Sequence, residues 1–180
     1  MDRPDGCRTG RLTINRLPDR IEGARSRCQA GRVGITDLGL SHIAFPVSDL
    51  EASIAFYRRF ADMDVVHRRI GSDGGGVAWL SDLTRPFVLV LLETEVTHRI
   101  GGWAHLGVGV ASRDEVDHRL VEAAAAGHDI VGPCDDTPPV GYWGIISDPD
   151  GHQLEVAYGQ EVRVMLEALQ PPMAGPATRS

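Results

Sequence analysis

"SHIAFPVSDLEASIAFYRRF" (residues 41–60) and "AHLGVGVASRDEVDHRLVEAAAAG" (residues 104–127) match in order. Each carries a histidine, a short strand pattern, a Ser-x-x-Glu and an amphipathic helix pattern, and His42 and His105 stand 63 residues apart. Ser48 to Glu51 and Ser112 to Glu115 read as capping boxes, in which a Ser oxygen and a Glu carboxylate satisfy the free N–H groups of a first helical turn. Apolar stripes follow at helical spacing, Leu50, Ile54 and Tyr57 in one segment and Val116, Leu120 and Ala124 in the other. Gly127 supplies a stop for the second helix.

Three strand patterns trail each helix. They are "MDVVHRRI", "GVAWLSD" and "FVLVLLE" in the first half, with "GSDGG" as a turn, and "HDIVGP", "YWGIIS" and "HQLEVAY" in the second. Each half therefore reads β-α-β-β-β, an α+β class. Residues 37–100 and 101–160 form two tandem βαβββ modules whose sheets must pair to bury their faces. In "SDPDGHQLEV" (residues 147–156), Asp148, Pro149 and Gly151 suit a type I turn. The strand after it alternates, with Leu154, Val156 and Tyr158 on one face and Gln153, Glu155 and Ala157 on the other.

The rest of the chain sets limits. At 180 residues it is one domain, or two small modules sharing a core. No stretch approaches the length of a membrane span, and the N-terminus has no apolar signal region. Cys7, Cys28 and Cys134 show no metal-knuckle spacing, which fits a reduced, cytoplasmic chain. All eighteen basic residues are Arg, which excludes Schiff-base chemistry and a P-loop, since both need a lysine amine. Residues 37–160 hold nineteen acids against eight Arg, a net of −11, a poor balance for binding nucleic acid. Residues 1–36 hold eight Arg against four acids without sustained periodicity. They read as a poorly ordered basic extension or an overlong translation start, with a short partner-binding arm as the alternative. Residues 161–180 read as a short helix and a Pro-rich tail.

Strand alternation sorts the faces. Ile43, Phe45 and Val47 point under the first helix, leaving His42, Ala44 and Pro46 opposite; Leu106, Val108 and Val110 do the same in the second module, leaving His105, Gly107 and Gly109. Small residues beside each histidine leave open space over the sheet, which suits a cavity. Glu155, 50 residues after His105, reads as a third inward group. Two imidazoles and one carboxylate with open positions suit one divalent metal ion: Fe, or with variation Mn, Ni, Co or Zn.

On "LSHIAFPVSDLEASIAFYRRF", "AHLGVGV" and "SDPDGHQLEVAYG", residues 38–159 resemble the vicinal oxygen chelate superfamily. Its members include glyoxalase I, bleomycin-resistance proteins, fosfomycin-resistance enzymes, methylmalonyl-CoA epimerase and extradiol dioxygenases. The resemblance implies paired modules whose mixed sheet curves into a cup around a metal, often in a homodimer. It places the metal ligands on His42, His105 and Glu155. A fourth ligand typical of glyoxalase I falls on Val90; a shifted register would offer Glu93 or Glu95. Ile145 stands where extradiol dioxygenases carry an acid-base Tyr, and a lysine-free chain fits the fosfomycin thiol transferases badly.

The implied function is that of a metal-dependent lyase, isomerase or dioxygenase for a small organic substrate. Candidate bases are Glu93, His67 and His152, and candidate substrate-lining aromatics are Phe45, Trp79, Trp103, Tyr142 and Trp143, against ordinary core packing as the plain alternative. A metal-free protein that sequesters an antibiotic or aromatic compound is the rival, and a lapsed enzyme acting through protein contacts is a third reading.

Overall fold

The computed structural model of the chain describes residues 39–71 and 74–169. The expectations for the N-terminal extension, for Cys7 and Cys28, for part of the "GSDGG" turn and for the tail beyond residue 169 lie outside the described residues. In chain order the elements are β1 (His42–Val47), α1 (Leu50–Ala61), β2 (Asp64–Ile70), β3 (Gly76–Ser81) and β4 (Val88–Glu93). The second half runs β5 (Leu106–Gly109), α2 (Arg113–Ala125), β6 (Ile130–Asp135), β7 (Tyr142–Ser147), β8 (Gln153–Tyr158) and α3 (Val162–Leu169). No helix among the described residues is long and apolar enough to cross a membrane.

The chain forms two four-stranded mixed sheets of the same plan, β1-β4-β3-β2 and β5-β8-β7-β6. β1 runs parallel to β4 with Ala44 opposite Val90, and β5 runs parallel to β8 with Gly107 opposite Glu155. The other pairings are antiparallel. A parallel pair needs a long crossover, and in each module the helix and the two strands after it make up that connection.

Helix starts follow local chemistry. In α2 the Ser112 hydroxyl accepts the Glu115 amide at 3.1 Å, and Glu115 in turn accepts the Ala111 amide at 3.0 Å. The box expected at Ser48 is displaced. Asp49 caps α1, accepting the Ala52 amide at 2.9 Å, and Glu51 pairs with Arg68. The reason lies across the molecule, where Asp150 accepts the Ser48 amide at 2.9 Å and ties Ser48 to the second module. At the far end of α2, Gly127 takes φ 88° and the His128 amide returns to the Ala123 carbonyl. Ala123 is buried where the stripe placed Ala124.

One core serves both modules. Phe45, Val47, Tyr57, Phe60, Leu89 and Leu91 from the first pack in one cluster with Val116, Leu120, Ile146, Leu154 and Val156 from the second. A buried polar joint crosses the same seam. The Tyr57 hydroxyl donates to Asp148 at 3.0 Å, and the guanidinium of Arg119 donates to the Phe60 carbonyl at 2.7 Å. The helix-bearing faces of both sheets are consumed by this core, so the opposite face of each sheet looks away from it.

Candidate functional site

The second sheet builds most of the site. His105 directly precedes β5 and Glu155 sits in β8, opposite Gly107. Glu155 is 7% exposed, and its Oε2 lies 3.4 Å from Nε2 of His105. A β-carbon at Gly107 would stand 3.8 Å from Glu155 Oε1, so glycine leaves room beside the carboxylate. That oxygen accepts a hydrogen bond at 2.6 Å from Nε2 of Gln160, which follows the positive-φ Gly159 at the end of β8. Gln160 is a site residue that strand periodicity misses, because it lies past the strand and reaches back.

His105 and Glu155 line a cavity of about 840 Å³ whose walls are largely apolar, with Trp103, Trp143, Val131 and Met165 among them. The Trp143 indole N–H donates to Asp136 at 2.8 Å, which fixes the ring. The side-chain amide oxygen Oε1 of Gln153, on the same strand face as Glu155, is buried without a hydrogen-bond partner among the described residues. Val162 and Met165 bring one side of α3 to the rim.

His42 is elsewhere. It lines a separate cavity of about 630 Å³ on the first sheet, together with Ala44, Arg69, Trp79, Arg85 and Val90. Val90 therefore occupies the position where a fourth ligand was sought. Glu93, three residues on, accepts the Leu50 and Gly76 amides at 3.3 and 2.9 Å and anchors the start of α1.

The remaining candidates divide by face. His67 stands opposite Trp79 in register, their rings 5.1 Å apart, on the cavity-bearing face. His152 is 1% exposed and packs on Phe45; its Nδ1 accepts the Ile100 amide and its Nε2 donates to the Pro46 carbonyl, so the ring joins the modules away from both cavities. Phe45, 3% exposed, belongs to the shared core. Tyr142 donates to Asp117 of α2 and stacks under Arg113, on the helix side of β7. Trp79, Trp103 and Trp143 line the cavities.

For a metal ion, the chemistry of the donors fits and their number in one copy does not. An imidazole beside a nearly buried carboxylate is two thirds of a facial set. Among the described residues, no group of three or more His, Cys, Asp or Glu side chains is placed to hold a metal ion.

The chain is 36% identical over 137 residues to an uncharacterized protein of Pseudomonas aeruginosa, a match covering 74% of this chain and 97% of that protein. Among solved structures, the antibiotic-binding protein TnmS3 of Streptomyces sp. CB03234 aligns with a TM-score of 0.54 at 23% identity, over 69% of this chain and 98% of that one. A mutant of the fosfomycin resistance protein FosX of Listeria monocytogenes, complexed with Mn(II) and 1S,2S-dihydroxypropylphosphonic acid, aligns with a TM-score of 0.55 at 21% identity, over 73% of this chain and 99% of that one. These two likenesses show the fold. Residues 39–156 match the model of the Glyoxalase/Bleomycin resistance protein/Dioxygenase superfamily, and the chain belongs to that superfamily.

Proposed function

We propose that the protein is a metal-dependent enzyme acting on a small organic molecule, working as a homodimer in which His105 and Glu155 of one copy and His42 of the other hold one divalent ion. The carrying observation is the 3.4 Å approach of His105 to a nearly buried Glu155 at the wall of a cavity. A second copy is called for because His42 lines a different cavity from His105 and Glu155, and among the described residues the three do not come together in one chain. β1 and β5 are both sheet edges, and an open edge invites pairing with another chain. Each edge begins with or directly follows a histidine. Setting β1 of one copy alongside β5 of another joins a His42 face to a His105/Glu155 face, and twofold symmetry repeats the junction to give two sites.

When bound, a divalent ion (Fe, Mn, Ni, Co or Zn) supplies electrostatic stabilisation of the negative charge that develops on substrate oxygens in lyase, isomerase or dioxygenase chemistry. His67 is the proton-transfer group in this reading. It is exposed on the cavity-bearing face, whereas Glu93 and His152 are occupied by backbone groups. The free thiol of Cys134 fits a reducing, cytoplasmic setting.

A second reading is a metal-free protein that sequesters an antibiotic or aromatic compound. The apolar cavity around Trp103 and Trp143 favours it, as does the likeness to an antibiotic-binding protein. Elemental analysis of protein purified without chelator or affinity-tag metal separates the two. Near-stoichiometric metal that is lost in His42→Ala and in Glu155→Ala supports the enzyme. Mixing those two variants tests the second copy, since a dimer of one of each retains one of its two sites and a randomly reassociated mixture recovers about a quarter of the wild-type metal, whereas a site within one chain recovers none. Wild-type protein that takes up no Fe(II), Mn(II), Ni(II), Co(II) or Zn(II) refutes the enzyme.

A further inference from the structure

The first-module cavity is unusual in its charge. Nine arginines lie in residues 39–169, and five of them, Arg58, Arg59, Arg68, Arg113 and Arg119, are in ion pairs among the described residues. Arg69, Arg85, Arg99 and Arg163 are not, although residues 37–160 carry nineteen acids against eight arginines. Two of these four, Arg69 and Arg85, line the His42 cavity, and no Asp or Glu lines it with them. Arg69 shares its strand face with His67, which adds an imidazole to the same side. An acid-rich chain that leaves two arginines without a carboxylate around one cavity has left guanidinium donors for an anion from outside; Arg85 Nε donates to the Thr84 hydroxyl at 3.2 Å, which leaves its terminal N–H groups. Guanidinium donors match the paired oxygens of a carboxylate or phosphoryl group.

The second-module cavity is the opposite in character, with an apolar wall around Trp103 and Trp143 and its acidic groups confined to Glu155 and Asp136. Such a surface takes a flat or bulky hydrocarbon skeleton, and no arginine lines it to pair with a carboxylate or phosphoryl group. We infer that the substrate is an amphipathic organic anion, whose carboxylate or phosphoryl group docks on Arg69 and Arg85 of one copy while its aromatic or bulky apolar part enters the Trp103/Trp143 cavity of the other. This deepens the two-copy reading above and rests on it for the joining of the cavities.

The test is calorimetric titration of the full chain, as purified and after loading with Mn(II). Naphthoate and naphthyl phosphate are the probes, with naphthylmethanol as the uncharged control and acetate as the control without rings. Both ring-bearing anions are expected to bind at least about tenfold more tightly than either control. The preferred one of the pair identifies the oxyanion. The double variant Arg69→Gln/Arg85→Gln, altered only at exposed side chains, is expected to reduce the anions to the level of naphthylmethanol. Trp103→Ala, at a ring that is 96% exposed, is expected to weaken every ring-bearing probe and leave acetate unchanged.

Naphthylmethanol binding as tightly as naphthoate, a preference that survives the double variant, or no saturable binding of any probe overturns the inference. Its failure is separable from that of the enzyme reading. Stoichiometric metal without an anion preference retires the substrate class alone, and an arginine-dependent preference in a chain that takes up no metal retires the enzyme alone.

Discussion

Gln160 holds Glu155 from the side opposite His105. Its amide N–H reaches Oε1 at 2.6 Å while His105 Nε2 stands 3.4 Å from Oε2. A carboxylate gripped on one oxygen has the other aimed, and groups that orient a ligand commonly matter to metal affinity about tenfold or more. Gln160→Ala is therefore expected to raise the dissociation constant for the metal about tenfold, measured by competition with a chelator, while leaving thermal stability near that of the wild type.

The seam between modules carries a pH signature. Burial pushes the Asp148 carboxyl above the usual carboxylate range, against hydrogen bonds from the His152 amide and the Tyr57 hydroxyl that pull it down. Burial and the neighbouring Asp148 also raise the Tyr57 phenol well above its ordinary value, which keeps it a donor. Within the interval from the ordinary carboxylate range up to its folded value, folded Asp148 holds a proton that the unfolded chain has released. Its contribution to stability thus falls as pH rises through that interval. Asp148→Asn is expected to flatten this part of the profile of melting temperature against pH while keeping the acceptor for the Asp150 and His152 amides.

Arg119 has a side chain only 9% exposed and bonds to Asp62, Glu115 and the Phe60 carbonyl. Arg119→Met keeps the packing of the stem and deletes the donors. Because Asp62 is largely solvated, the main loss is at the buried carbonyl, and a destabilisation of about 2–3 kcal/mol is expected. A shift of the urea midpoint at unchanged slope would measure it.

Gly141 leads into β7 at φ 82°, and a β-carbon there would come within 2.4 Å of the Tyr158 carbonyl oxygen. Backbone cannot step aside as a side-chain tip does. Gly141→Ala is expected to cost about 2–4 kcal/mol, read by thermal unfolding beside Gly109→Ala, where a β-carbon meets nothing within 4 Å.

Much of this architecture is legible because it depends on short-range pattern. The duplicated helices and the alternation of β8 follow from periods of two and 3.6 residues, and the turn at Asp148 from its Asp-Pro-x-Gly residues. Alternation assigns a side chain to a face without saying where that face looks. His42 and His105 occupy equivalent places in two modules, yet they line different cavities because the core fills the space between the helix-bearing faces. Phe45 illustrates the same limit. Its alternation with His42 already puts it under α1, and its aromatic character alone suggested the substrate pocket. Asp49 caps α1 in place of Ser48, whose amide is held by Asp150, 102 residues away, a distance no local pattern spans. Gln160 is invisible to periodicity for the reason that it lies beyond the last strand.

The shared core has a consequence for how the protein comes apart. Each module is the hydrophobic lid of the other, so a chain cut near residue 100 would leave Phe45, Tyr57 and Phe60 on one fragment and Leu120, Ile146 and Val156 on the other facing water. Neither half is expected to be an autonomous folding unit. The two fragments are expected to be largely unstructured alone and to regain native circular dichroism only when mixed, and the intact chain is expected to melt in one calorimetric transition rather than two. A gene duplication is still legible in the sequence, but thermodynamically its products have become a single object.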